Sequence, residues 1–277
     1  MYKRILTVQD ISCFGQCSLT VALPILSACG HETVILPTAV LSTHTAGFTG
    51  FTVRDLADDL PGISAHWQKE GITFDAICTG YLGNEAEIDT VADIIDKLIV
   101  PSGTVIIDPA MADHGKLYPA FDMDYAKAMN KLVAKADYIL PNITEAAFLT
   151  GIEYREDYDE KYISELLDGL SKNCKGSIIL TGVSYEDDST GIVVRENGND
   201  RYYKHKLIKE NRHGTGDIYT AAFAGALLSG CGAYESAVIA GDYTVACLED
   251  TVITGGHQYG ACFEPRLCDL KRMIDKK

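Results

Sequence analysis

The chain has 277 residues and a mass of 30.1 kDa, with 24 Lys plus Arg against 39 Asp plus Glu, a formal charge of −15. A surface that negative repels phosphates and anionic headgroups, so neither a nucleic-acid nor a membrane partner is expected. An apolar content of 47% with 23% charged residues excludes a disordered acidic chain and suits one domain spanning residues 1–277.

Short β-rich runs alternate with longer helical ones. Lys3–Gln9 reads as a buried strand, Ser18–Cys29 as a helix closed by Gly30, and Thr33–Pro37 as the next strand. Asp55–Glu70 carries Leu56, Leu60, Ile63 and Trp67 at helical spacing, with Trp67 a core residue and Pro61-Gly62 a candidate break. Strand Asp75–Thr79 precedes helix Glu85–Val100, which sets Ile88, Val91, Ile94, Ile95 and Leu98 on one face. Strand Gly103–Ile107 ends in Asp108-Pro109, helix Ala126–Ala136 follows, and strand Asp137–Leu140 ends in Pro141-Asn142. Ser177–Leu180 ends at Thr181-Gly182; Gly191–Glu196 and Arg201–Ile208 then flank Asn197-Gly198-Asn199-Asp200, a hairpin signal. Helices Gly216–Ser229 and Tyr234–Leu248 follow. Strands alternating with helices predict a mostly parallel sheet covered on both faces, an α/β/α sandwich with small β embellishments.

Nine cysteines (13, 17, 29, 78, 174, 231, 247, 262 and 268) form no CxxC pair and no zinc spacing, which predicts reduced thiols and a cytoplasmic setting. The apolar stretch after Lys3-Arg4 is too short for a secretory signal, and the small-residue run Ile218–Tyr234 too weak for a membrane span.

Ligands of such sheets bind beyond the C-terminal ends of the strands. Polar residues gather there: Gln9-Asp10, Ser42-Thr43-His44-Thr45, Thr79-Gly80-Tyr81, Asp108, Asn142 with Glu145, and Thr181-Gly182. The ordinary polarity of loops is the competing explanation. The strongest local signal is His213-Gly214-Thr215-Gly216-Asp217 running into a small-residue helix. Glycines at a helix mouth let backbone N–H groups reach a phosphate, and a carboxylate beside them can take a proton from an attacking hydroxyl. A helix-start aspartate after a plain glycine turn is the alternative. No Walker lysine is present, so phosphates would be held by amides and a metal. Asp108 and Glu145 are hard oxygen donors suited to Mg²⁺, or alternatively a turn cap and a helix-start residue.

Taken together, the GTGD segment, Asp108-Pro109-Ala110-Met111 and Pro141-Asn142-Ile143-Thr144-Glu145 resemble the ribokinase-like superfamily. Within it the chain is similar to the pyridoxal/pyridoxine/pyridoxamine kinases of vitamin B6 salvage. Ile5-Leu6-Thr7-Val8-Gln9 through Gly15, Leu41-Ser42-Thr43-His44-Thr45 and Gly80-Tyr81-Leu82-Gly83 match in the same order, from Ile5 to about Asp250. The resemblance implies a ribokinase-like fold, ATP as phosphoryl donor, Mg²⁺, a monovalent cation (K⁺ or Na⁺) and a homodimer. It implies Asp217 as base and the amides of Gly214, Thr215 and Gly216 as an anion hole. Asp108 and Glu145 would organise magnesium, with Asn142, Thr181 and Gly182 along the nucleotide. Asp10, Ser12, His44, Thr45 and Tyr81 would line the pocket of the B6 vitamer.

One departure stands out: Asp10-Ile11 replaces the Ser-His these kinases usually carry after the glutamine. A carboxylate there favours a protonated pyridine nitrogen or an amine, unless Asp10 merely caps the turn before Ser12. Cys13 and Cys17 near the pocket are expected to be inert. His44, His213 and His257 lack metal-ligand spacing, and Glu186-Asp187-Asp188 reads as a solvated loop. The rival functions are a hydroxymethylpyrimidine kinase of the same superfamily and a non-catalytic B6- or nucleotide-binding sensor.

Overall fold

Buried apolar residues alternate along each central strand, one side chain to each face of the sheet. Leu6, Ile77, Ile107 and Ile178 belong to one core, whereas Ile5, Ala76, Ile106 and Ile179 belong to the other. The computed structural model describes residues 2–45, 47–209, 212–255 and 259–276; His257 lies outside them.

In chain order the first half comprises β1 (Arg4–Ser12), α1 (Leu19–Ala28), β2 (Glu32–Leu41), β3 (Val53–Asp55), α2 (Leu60–Lys69), β4 (Phe74–Thr79), α3 (Glu85–Leu98), β5 (Ile99–Ile107), β6 (Ala112–Asp113), β7 (Lys116–Leu117) and α4 (Met123–Val133). The second half comprises β8 (Tyr138–Ile139), α5 (Ile143–Thr150), α6 (Glu160–Leu170), β9 (Ser177–Thr181), β10 (Ser189–Glu196), β11 (Asn199–Lys206), α7 (Thr215–Leu228), α8 (Ala233–Ile253) and α9 (Leu267–Asp275). Among the described residues the main sheet has nine strands in the order β11-β10-β9-β8-β5-β4-β1-β2-β3. Its centre, from β9 to β2, is parallel, while β3, β10 and β11 are antiparallel additions at the edges. Helices α2 to α6 pack on one face and α1, α7, α8 and α9 on the other. This is the three-layer, ribokinase-like arrangement.

Several boundaries differ from the sequence expectation for local reasons. Pro61 does not split a helix over 55–70; it occupies the first turn of α2, where its missing N–H costs nothing, and residues 55–59 precede the helix. Asp122 caps α4 by accepting from the amides of Asp124 and Tyr125, so that helix starts three residues before Ala126. The hairpin turns on Asn197-Gly198 alone, both at positive φ (52° and 77°), with Glu196 opposite Asn199. Trp67 packs edge-on against Phe74 at 5.5 Å, as a core residue should.

Candidate active site

The chain leaves β1 toward β2 on one side and returns to β4 on the other, so β1 and β4 are neighbours whose continuations diverge. A crevice opens beyond the C-terminal ends of such strands. Gly80, just after β4, donates its N–H to Val8 O, and a Cβ on Gly80 would press on the Gln9 side chain. The rim of this crevice carries Asp10 and Ser12 from β1, Tyr81 after β4 and Asp108 after β5.

The mouth of α7 faces the same crevice. Gly214 is the residue before the helix, at φ 77° and ψ 2°, a left-handed conformation that favours glycine. A side chain there would also overlap the carbonyl oxygen of Gln16, so the β1–α1 loop and the α7 mouth are packed backbone to backbone. Gly216 is exposed and a Cβ on it would meet nothing within 4 Å among the described residues, leaving room for a ligand to approach the amides. The Thr215 hydroxyl donates to Arg212 O at 2.7 Å.

Asp217 follows in the first turn of α7. Its carboxylate loses water by burial and accepts the backbone N–H of Ser18, and the negative charges of Asp108 and Asp10 reach it; the balance pushes its pKa up to about 7. A carboxylate poised there can take a proton near neutral pH. Asp108 is buried and accepts the Thr220 hydroxyl at 2.7 Å. Burial raises the pKa of Asp108, and burial followed by the charge of Asp108 raises that of Glu145.

Glu145 has a clear structural duty. It completes a capping box with Asn142 at the start of α5, accepting the Asn142 amide at 2.9 Å, and takes the Met111 amide at 3.1 Å on its other oxygen. Asn142 spends its own side chain on the Glu145 amide and on Ala112 O, both at 2.9 Å. Thr181 bridges to Asn142 at the end of β9, and Gly182 beyond it is exposed. The magnesium-site candidates are thus adjacent, with Glu145 also serving as a helix cap. No group of three or more His, Cys, Asp and Glu suited to a metal is found among the described residues.

On the β1 side of the crevice, Asp10 accepts Ser18 Oγ at 2.5 Å and Ser12 Oγ at 3.0 Å, one on each carboxylate oxygen. Burial nevertheless raises its pKa. Tyr81 packs against Phe121 at 5.2 Å, and Phe121 stacks on Tyr125 at 3.8 Å, which makes the aromatic wall. Burial, with Asp10 and then Glu87 adding, pushes the Tyr81 phenol up to about 12. His44 is buried between Phe48 and His213, each ring 5.1 Å away. Thr45 is exposed beside it. Burial and the neighbouring Asp217 push the Cys17 thiol up to about 12, which favours its protonated form, and Cys13 is exposed. The Glu186-Asp187-Asp188 segment is exposed, with Glu186 paired to Lys204.

Sequence reasoning missed Ser18, Thr220 and Phe121. Thr220 follows Asp217 by three residues and so shares its helix face, a signal that was available. Phe121 lies more than a dozen residues beyond Asp108 in a turn, and nothing local marks it.

A phosphomethylpyrimidine kinase family model matches residues 23–262. A pyridoxal kinase of Dictyostelium discoideum is 26% identical over 242 residues, covering 81% of this chain and 78% of that protein. The crystal structure of pyridoxal kinase from Lactobacillus plantarum superposes with a TM-score of 0.92 at 30% identity, covering 99% of this chain and 98% of the other. A candidate phosphomethylpyrimidine kinase of Bacteroides thetaiotaomicron, crystallised with pyridoxal, superposes with a TM-score of 0.89 at 36% identity, covering 97% and 95%.

Proposed function

The chain belongs to the phosphomethylpyrimidine kinase family, and from that premise we propose that it phosphorylates the 5′-hydroxymethyl group of a vitamin B6 pyridine with ATP. The single observation that carries the reading is Asp217, raised to about 7, standing in the turn that follows the amides of Gly214, Thr215 and Gly216. The aromatic wall of Tyr81 and the likeness to pyridoxal kinase from Lactobacillus plantarum support the pyridine class.

The residues divide the work. Asp217 accepts the hydroxyl proton as the substrate oxygen bonds to the γ-phosphorus and the bond to the β–γ bridging oxygen breaks, releasing ADP. The amides at the α7 mouth meet the charge that develops on the transferring group, helped by the helix dipole. Tyr81 and His44 orient the ring, and Asp10 holds charge toward its polar edge. Thr181 and Gly182, at the end of β9, lie along the nucleotide.

Magnesium fits this donor set. Asp108 and Glu145 are two buried hard-oxygen groups whose pKa values burial raises, with the charge of Asp108 adding at Glu145; a cation would offset both effects. Two carboxylates completed by water and phosphate oxygens are the usual way Mg²⁺ is held in kinases, and the ion would neutralise phosphate charge there. A monovalent cation and a homodimer complete the proposal, with the whole chain acting as one kinase domain. No helix among the described residues is long and apolar enough to cross a membrane; a cytoplasmic setting, as the cysteine pattern of the sequence suggests, is part of the proposal.

The second reading, a hydroxymethylpyrimidine kinase, is favoured by the family's own name. A coupled ADP-release assay over pyridoxal, pyridoxine, pyridoxamine and 4-amino-5-hydroxymethyl-2-methylpyrimidine separates the two. The pyridines should give the higher kcat/KM; a pyrimidine preference overturns the proposal, and no turnover on any of them favours a non-catalytic sensor.

A further inference from the structure

A serine just before a helix ordinarily turns its hydroxyl onto the second or third amide of that helix. Ser18 precedes α1 and makes no such bond among the described residues. Its hydroxyl is spent elsewhere, on Asp10 Oδ1 at 2.5 Å. Its backbone, at φ 53° and ψ −133°, is in a region that non-glycine residues rarely occupy. In that conformation the Ser18 N–H faces the Asp217 carboxylate and stabilises its charged form. The Ser18 carbonyl accepts the amides of Val21 at 3.0 Å and Ala22 at 2.9 Å, anchoring the residue to α1. One buried residue thus touches both carboxylates, one with its side chain and the other with its main chain.

From this we infer that Ser18 is a positioning residue, holding Asp10 and Asp217 at a fixed separation so that the ring end and the phosphoryl end of the crevice stay in register. The inference rests on Asp217 being the base. The surrounding packing agrees with it. The Cys17 thiol lies beside Asp217, Ser12 and Ser18, and Gln16 O abuts Gly214. A strained backbone kept at such a junction is retained where surrounding contacts over-determine it. If Ser18 merely filled space, glycine would serve better, because it adopts positive φ without a steric penalty.

Ser18→Gly therefore separates the two roles. Positioning predicts a kcat lower by about 10–100-fold, the scale of a misplaced reacting group, with the KM for ATP nearly unchanged and Tm equal to or above wild type. It also predicts that the losses from Ser18→Gly and Asp10→Asn do not add in the double variant, because the two residues act as one unit. A kcat within about threefold of wild type, additive losses, or a loss that only tracks a fall in Tm would each overturn the inference. Asp217→Asn, measured alongside, keeps the two failures apart. If it loses turnover while Ser18→Gly does not, the Ser18 inference alone falls; if it keeps turnover, the base assignment falls and the inference with it.

Discussion

The phosphoryl end and the ring end of the crevice are built on different principles. At the phosphoryl end the working groups sit at helix starts and strand ends, with their hydrogen bonds closed within the protein: Asn142 with Glu145, Asn142 with Ala112 O, Thr220 with Asp108, Thr181 against Asn142. The ring end is made from the 13–18 loop and the segment after β2, lined by Phe14, Phe48, His44 and His213. There the described residues leave two buried polar atoms without a partner, Gln9 Oε1 and His44 Nε2. An unpaired buried polar atom is costly, so a ligand that supplies the missing partner is favoured. In the proposed reading the phosphoryl end is thus set before any ligand arrives, and the ring end is where the choice of substrate is made.

The largest expected effect comes from joining the two ends badly. Gly214→Ala adds a Cβ where Gln16 O already lies and forces a left-handed backbone onto alanine. It should lower kcat/KM by more than about 10²-fold and lower Tm as well, read by steady-state kinetics and thermal melting. A variant with near wild-type kinetics would show that the ends are independent.

Next in size is the pH profile. With Asp217 raised to about 7, the base is protonated below that pH, so kcat/KM should fall about tenfold per unit as pH drops below about 7. An acid limb near the ordinary carboxylate value would remove Asp217 from that role.

A smaller effect tests the ring end alone. Asp10→Ser also removes the carboxylate that Ser18 holds, so kcat falls for every vitamer, but the ratio of kcat/KM values among the vitamers reads the ring end alone and should shift toward pyridoxal by up to about tenfold. Unchanged ratios would mean that Asp10 only braces the loop through Ser12 and Ser18. The smallest effect is on stability. Asp217 holds its proton more tightly folded than unfolded, so the folded state loses stability as pH rises from about 4 to about 7. Asp217→Asn should therefore raise Tm by a few degrees at pH 8 and leave it unchanged at pH 4.

The same contrast governs what could be read from the chain. The parallel strands and the polar groups at their ends were legible because burial on both faces makes apolar runs and because glycine and aspartate at a helix mouth leave a local signature. The GTGD turn, Asp108 and the Asn142–Glu145 pair are of that kind. Helices α6 and α9 and the short strands β3, β6 and β7 were not anticipated, and of α5 only its start at Asn142–Glu145 was; the strands are only two or three residues long, too short for periodicity to register. At the ring end Asp10 and Ser12 could be singled out, but Ser18 could not, because it reads as an ordinary helix cap until its backbone angle is seen. The Tyr81–Phe121 contact joins segments forty residues apart, which only the tertiary fold brings together.

The central claim is that Asp217 removes the hydroxyl proton beside the amides of the α7 mouth. Asp217→Asn tests it most directly, with turnover on a B6 vitamer and binding of ATP and vitamer measured on the same preparation. The account predicts binding retained and kcat lower by about 10²–10⁴-fold. Turnover within a few-fold of wild type, with binding intact, would contradict it.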